Sequence, residues 1–382
     1  MGNNQSREVE EFKSQYVKHA ETSDPRYGNV NLYHSKYDPQ EIVLVKDKWT
    51  NSLAESQEIA GFIDNRKDIM HPNLAENKYY MQSEDNQWFS TFHKHTMAFE
   101  FYENNLERQI RERNDNEYID FNEPSTYTEP ELWYIANAIV SLDTTLAREG
   151  GSYHGDIQPS TVLLNPEDKV KMVDAGLVHA DKLSYSRMLY DRKVKVPLSP
   201  LLCDQMQQTK VNPEFEPSKE DSWALGMTLL CAGTNTSLDD YYDWNVPEVK
   251  RHMVSEGLDQ LNGSYSRQLQ GFVASCLEES EDLRPSMEDH EMYLKPYQRE
   301  AESVQLDFKK KPVHVNNNPA PPRMPAPRGP DYTDVIGGGD FFDKEIQPNV
   351  KVDFGGVITS DVGGFFNEKE EVFMEDEGNF FA

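Results

Sequence analysis

Asp156 and Asp174 flank a segment whose composition brings them together. Between them run Val162 to Leu164 and Val170 to Val173, two short β-prone apolar stretches. Asn165-Pro166-Glu167-Asp168, which joins them, has turn chemistry. A hairpin of this kind places the residue before its first strand and the residue after its second at one open end. Two neighbouring carboxylates there suit a hard cation such as Mg²⁺, or divide the work between a proton acceptor and a metal ligand. A polar surface hairpin with two solvated aspartates is the other reading of the same spacing.

The next group with chemical potential is Lys46, at the end of the run Ile42-Val43-Leu44-Val45. A lone lysine at a strand end is ordinarily just solvated. The elements that must position these groups are legible nearby. Val30, Leu32 and Tyr33 form a β-prone run paired with the one ending at Lys46 across the turn-like Tyr37-Asp38-Pro39. Ser52 to Lys67 reads as a helix, with Ser52-x-x-Glu55 as a capping box and Leu53, Ile59, Ala60 and Ile63 as its apolar positions. His95 through Leu106 reads as an aromatic-rich strand. Thr128-Glu129-Pro130-Glu131 starts a helix on which Leu132, Ile135, Ile139, Leu142 and Leu146 recur at helical spacing. The first part of the chain is thus β-rich and the later part helical, an α+β arrangement.

His154-Gly155-Asp156-Ile157-Gln158-Pro159-Ser160-Thr161, followed by Asp174-Ala175-Gly176, resembles the catalytic and metal-binding loops of the protein kinases. The resemblance runs from about residue 20 to 300 and implies a two-lobed fold, a small β-rich lobe on a mainly helical one. It implies Asp156 as the catalytic base, Asp174 as the metal ligand with Thr161 in the place of the second ligand, and Lys46 on the nucleotide phosphates. Gly28 and Val30 match the end of the glycine-rich loop, and Phe99 and Phe101, with Glu100, border the adenine pocket. ATP and Mg²⁺ are the ligands so implied. Asp221 corresponds to the aspartate that caps the catalytic loop, and His71-Pro72-Asn73-Leu74 to the turn after the helix that orients the lysine.

Several letters depart from that pattern. Ser23 and Pro25 replace glycines, and proline has no N–H to offer a phosphate. Phe62 stands where a glutamate pairs with the lysine, with Glu58 as the nearest substitute. Gly155, Gln158 and Ala175 replace an arginine, a lysine and a phenylalanine. Leu201 replaces the glutamate that answers Arg284, so that pairing is lost or rerouted. These departures imply a degenerate, pseudokinase-like member that works as a scaffold or allosteric signalling partner, with retained ATP binding left open. The alternatives are a slow Ser/Thr kinase built on Lys46, Asp156 and Asp174, and an adaptor acting through the C-terminal tail. Residues 177 to 197 correspond to the activation segment, with Ser184, Tyr185, Ser186 and Tyr190 as its hydroxyls.

A net charge of -29 and a pI near 4.7 argue against nucleic acid as a partner. Three widely spaced cysteines, Cys203, Cys231 and Cys276, form neither a disulfide framework nor a zinc motif, which points to a reducing, cytoplasmic setting. No apolar run is long enough to span a membrane. Met1-Gly2-Asn3-Asn4-Gln5-Ser6 fits the N-myristoylation pattern, with Gly2 as the acceptor; a plain polar start is the other reading. One acyl chain without a polybasic companion supports only reversible, peripheral membrane contact. The organisation expected is a flexible start over residues 1–20, a kinase-like domain over 21–304, and a Pro-rich linker with an acidic, disordered tail over 305–382. Three Gly-x-Phe-Phe repeats in that tail, at Gly339, Gly363 and Gly378, resemble docking motifs for protein partners.

Overall fold

The computed structural model describes residues 10–298 apart from 25, 88–89, 116–125, 168, 180–194 and 209–213, together with the dipeptides Lys351–Val352 and Ile358–Thr359. Gly2, the activation-segment hydroxyls and the Gly-x-Phe-Phe repeats lie outside the described residues. The β-prone runs form an antiparallel sheet of β1 (Tyr16–Asp24), β2 (Gly28–Ser35), β3 (Ile42–Thr50), β4 (Asn77–Gln87) and β5 (Ser90–Phe101), in the order β1-β2-β3-β5-β4.

The register pairs Leu44 with Leu32 and Phe99, and Val45 with Asn31 and Ala98, so alternate residues serve two faces. One face buries Tyr16, Val43, Val45 and Ala98 beneath Phe12, whose ring also meets Tyr33 and Tyr79. On the other, Leu32, Leu44, Met97 and Phe99 pack beneath helix α1 (Leu53–Arg66), through Ile59 and Ile63. The helix starts where expected, with the Ser52 side chain accepting from Glu55 N. A polar bridge fixes its first half, because the buried His95 ring joins Ser56 Oγ at 3.0 Å to Tyr80 Oη at 3.0 Å. Burial lowers the pKa of that imidazole, favouring the neutral form that can bond one partner on each nitrogen.

Beyond β5 the chain becomes helical. Helices α2 (Leu106–Asp115) and α3 (Glu129–Gly150) precede a hairpin of β6 (Leu163–Leu164) and β7 (Val170–Lys171), shorter than its apolar runs suggest, and the five-residue helix α4 (Ala175–His179). Then follow α5 (Pro200–Gln207), α6 (Pro217–Thr234), α7 (Leu238–Tyr241), a β8–β9 ladder (Tyr242–Asp243, Glu248–Val249), α8 (Arg251–Ser264), α9 (Arg267–Cys276) and α10 (Met287–Leu294). Helix α3 opens with a Thr128–Glu131 capping box and closes on Gly151 at φ 74°. Helix α6 is buried on every side and centres the second core, where Trp223, Leu225, Leu229 and Leu230 meet Leu132, Leu142 and Phe272. The two-lobed α+β architecture expected from the sequence is therefore present.

Candidate functional site

The site lies where the sheet meets the β6–β7 hairpin. His154 to Thr161 forms a loop held by carboxylates from below. Asp221 on α6 accepts from Gly155 N at 2.9 Å, and Asp143 on α3 accepts from His154 N at 2.6 Å. Gly155 takes φ 73°, a left-handed conformation that favours glycine. His154 accepts from Asp156 N on Nδ1, which leaves Nε2 to donate to Val173 O at 3.0 Å and ties this loop to the residue before Asp174. Asp156 is buried, and the Gln158 amide donates to its Oδ1 at 2.6 Å. The Thr161 hydroxyl donates to Asp156 O and Gln158 O and accepts from Gln158 N, so it serves its own loop.

The Asp143 carboxyl is fully buried beside Asp221. Burial first, and then the Asp221 charge, push its pKa well above the usual carboxylate range. A raised folded-state pKa means that the folded protein holds this proton more tightly than the unfolded chain does. Stability is therefore lost as pH climbs from the unfolded value toward the folded one. Asp143→Asn retains an acceptor for His154 N and removes the titration. Its stability advantage over the natural protein should widen from pH 5 to pH 8 in thermal melts; parallel curves would remove Asp143 as the titrating group.

Asp174 stands at the open end of the hairpin, as its spacing from Asp156 suggests, but both its oxygens are engaged. Arg66, in the last turn of α1, donates from Nε to Oδ2 and from Nη2 to Oδ1, each at 2.9 Å. The two side chains are 0% and 2% exposed. The third nitrogen of the guanidinium, Nη1, donates to Ser152 O at 2.8 Å and to Ser152 Oγ at 2.5 Å. Asp174 also caps α4, accepting from Leu177 N at 3.2 Å. Among the described residues no three His, Cys, Asp or Glu side chains gather so as to hold a metal ion. With Asp174 paired and Thr161 turned into its own loop, the residues present do not fit Mg²⁺ in this arrangement.

The loop between β1 and β2 is closed in a comparable way. Asp24 accepts from Arg26 N at 2.7 Å and Tyr27 N at 3.2 Å, and its carboxylate also pairs with the Arg26 guanidinium at 2.8 Å. Arg26 reaches onward to donate to Ser160 O, a bond from the small lobe to the loop that holds Asp156. Lys46 donates to Tyr27 O at 2.7 Å and to Asn29 O at 3.2 Å. Gly28, at φ 69°, admits this approach, since a Cβ there would stand 2.9 Å from Lys46 Nζ. The Tyr27 ring, 1% exposed, joins Val30, Leu44, Phe99 and Phe101 from the sheet and Leu163, Val173, Leu177 and Val178 from the hairpin and α4 in one buried cluster. The apolar cluster is thus continuous from the sheet to the hairpin.

The structure brings Gly28, Val30, Lys46, Phe99 and Phe101 to one side of the cleft and Asp156, Thr161 and Asp174 to the other. It leaves Glu58 exposed on the outer side of α1, and Phe62 packs beside Gly176 instead of answering Lys46. Arg284 is rerouted to Glu220, Nη1 to Oε1 at 3.3 Å. Arg66, Asp24, Arg26, Asp143 and Glu220 carry no motif, and sequence reading passed over them. The one signal for Arg66 is a basic residue closing an amphipathic helix, which helix dipoles alone explain.

Comparison with known proteins agrees with this geometry. The profile of the family described as protein tyrosine and serine/threonine kinase matches residues 21–294. The chain is 24% identical over 176 residues to the dual specificity mitogen-activated protein kinase kinase sek-1 of Caenorhabditis elegans, covering 45% of this chain and 49% of the relative. It is 26% identical over 182 residues to the dual specificity mitogen-activated protein kinase kinase hemipterous of Drosophila melanogaster, covering 46% and 14%. It is 24% identical over 162 residues to the serine/threonine-protein kinase Nek10 of Homo sapiens, covering 42% and 13%. The chain therefore spans at most about half the length of these relatives.

Proposed function

Because this chain belongs to the protein tyrosine and serine/threonine kinase family, we propose that it is a member whose nucleotide cleft is filled by its own groups and that works as a scaffold or allosteric signalling partner. The family generally uses ATP with Mg²⁺, and its chemistry consists of positioning the nucleotide, neutralising charge and supplying a base. The observation that carries the proposal is the buried, bidentate Arg66–Asp174 pair. The guanidinium fork takes one lone pair on each carboxylate oxygen and Leu177 N takes a second on Oδ1, so Asp174 already has a resident cation neutralising the charge that a metal would use. The glycine-poor loop supports the same reading: its backbone N–H groups point at Asp24, an anion from within the chain, where phosphate-binding loops present theirs to a ligand.

A slow Ser/Thr kinase is the second reading. It is favoured by the presence of Lys46, Asp156 and Asp174 in register and by the similarity to proteins named as kinases. The thermal midpoint with ATP, in Mg²⁺ and in EDTA, separates the two. A ligand at a hundred times its dissociation constant stabilises by about 2.7 kcal/mol. No shift in either buffer is the expected result. A Mg²⁺-dependent shift that Asp174→Asn abolishes, together with phosphate transfer to a protein substrate, would replace the proposal by the kinase reading.

A further inference from the structure

We propose that a cavity between α3 and α10 docks the chain's own first Gly-x-Phe-Phe repeat, Gly339-Asp340-Phe341-Phe342 with Asp343 behind it, so that the tail folds back onto the helical lobe. The proposal goes beyond the scaffold reading and does not depend on how the cleft is closed.

The cavity has a volume of about 280 Å³. Its buried lining includes Val140 of α3 and Leu294 at the end of α10, both part of the helical core, and its exposed lining includes Met292, 68% exposed. Two polar groups beside them are already bonded within the chain. Asn137 Nδ2 donates to Trp133 O at 2.8 Å, and Ser141 Oγ is bonded to His71 Nε2 at 3.1 Å. The cavity therefore offers apolar surface suited to rings. An apolar cavity of about 150 Å³ holds a benzene. One phenyl ring fits inside, with a second against Met292, whose thioether packs favourably on aromatic rings.

Charge selects which rings. Arg148, Glu291 and Lys295 line the same cavity. Arg148 Nη2 donates to both Glu291 oxygens at 3.2 Å, whereas no ion pair among the described residues involves the exposed Lys295. The lining is thus net positive on a chain with a net charge of -29. Gln298, the last described residue of the domain, lines the cavity too, so the chain beyond it sets out from the docking site. Of the three repeats the first is nearest in sequence, and only there does an aspartate stand directly on each side of the Phe-Phe pair. A flexible tether of roughly forty residues has an r.m.s. span of about 35 Å and holds its end at roughly millimolar effective concentration. Weak intrinsic affinity then suffices in cis, and an acidic Phe-Phe segment of another protein has to displace the resident one.

The test uses the full chain with Lys344, just outside the repeat, replaced by photoreactive benzoylphenylalanine. Irradiation should give an adduct within single chains, joining the tail to peptides from residues 137–148 or 291–298. Met292→Glu, at an exposed position that leaves the thermal midpoint unchanged, should lower the yield roughly tenfold, the scale of losing a docking anchor. Lys295→Glu should lower it as well, and adding Asp340→Lys and Asp343→Lys should restore it. An adduct indifferent to Met292→Glu overturns the proposal. So does one found only in covalent dimers, which would make the occupant a second copy, or one that forms only when the probe replaces Glu368, beyond the Gly363 repeat.

Discussion

Replacing Arg284 by methionine is expected to destabilise the protein by about 3–5 kcal/mol in urea titrations, the usual cost of breaking a fully buried ion pair from one side. Arg284 and Glu220 are both 0% exposed, and Arg284 also donates to Glu278 O and Lys219 O. Its loss would strand a carboxylate whose pKa burial already raises. Glu220 in turn accepts from Ser199 N and Oγ, so the pair fixes the residue from which α5 starts. The double variant Arg284→Met/Glu220→Gln removes the stranded charge and should recover part of the loss. Strict additivity of the two single effects would show that the pair is not coupled and would defeat this account.

Tyr27→Ala should cost about 3 kcal/mol, at the low end for truncating a buried aromatic ring. Its second effect is the more informative one. The ring is buried in the cluster that also holds Val30 and Leu163, so its removal should open the cleft from the side of the β1–β2 loop. A fluorescent adenine-nucleotide analogue that does not bind the natural protein should then bind the variant, and should do so in EDTA, because the Arg66–Asp174 pair is untouched. A stability loss below about 1 kcal/mol, ordinary for a surface substitution, would mean that the ring does not close the cleft.

Much of the architecture was legible because it rests on local patterns. The Ser52 cap, the Thr128–Glu131 capping box and the spacing of Leu132, Ile135 and Ile139 lie within a few residues of what they specify. Asp221 could be assigned to the loop at Gly155 through the family resemblance, and the 2.9 Å bond is there. What was not legible depends on partners far apart in the chain. Arg66 and Asp174 are 108 residues apart, and Arg26 and Ser160 are 134 apart. No period or propensity links such pairs, since their meeting is fixed only once α1 lies on the sheet and the sheet on the hairpin. Pro25 lies outside the described residues, and its neighbour Asp24, which accepts from Arg26 N and Tyr27 N, is an ordinary turn residue until those hydrogen bonds are seen. Arg284 shows the same limit. Its missing partner at Leu201 was readable, and its actual partner Glu220 was not.

The Arg66–Asp174 pair also bears on what selection can see. Losing either member of this buried pair alone should cost several kcal/mol, because the other charge is then left buried without its partner. In a lineage that had given up phosphate transfer altogether, a drifting allele at Asp174 would still be purged as a misfolding one. The survival of such an aspartate records heritable dependence on folding, and its presence in a descendant is no ledger of the chemistry its ancestors performed.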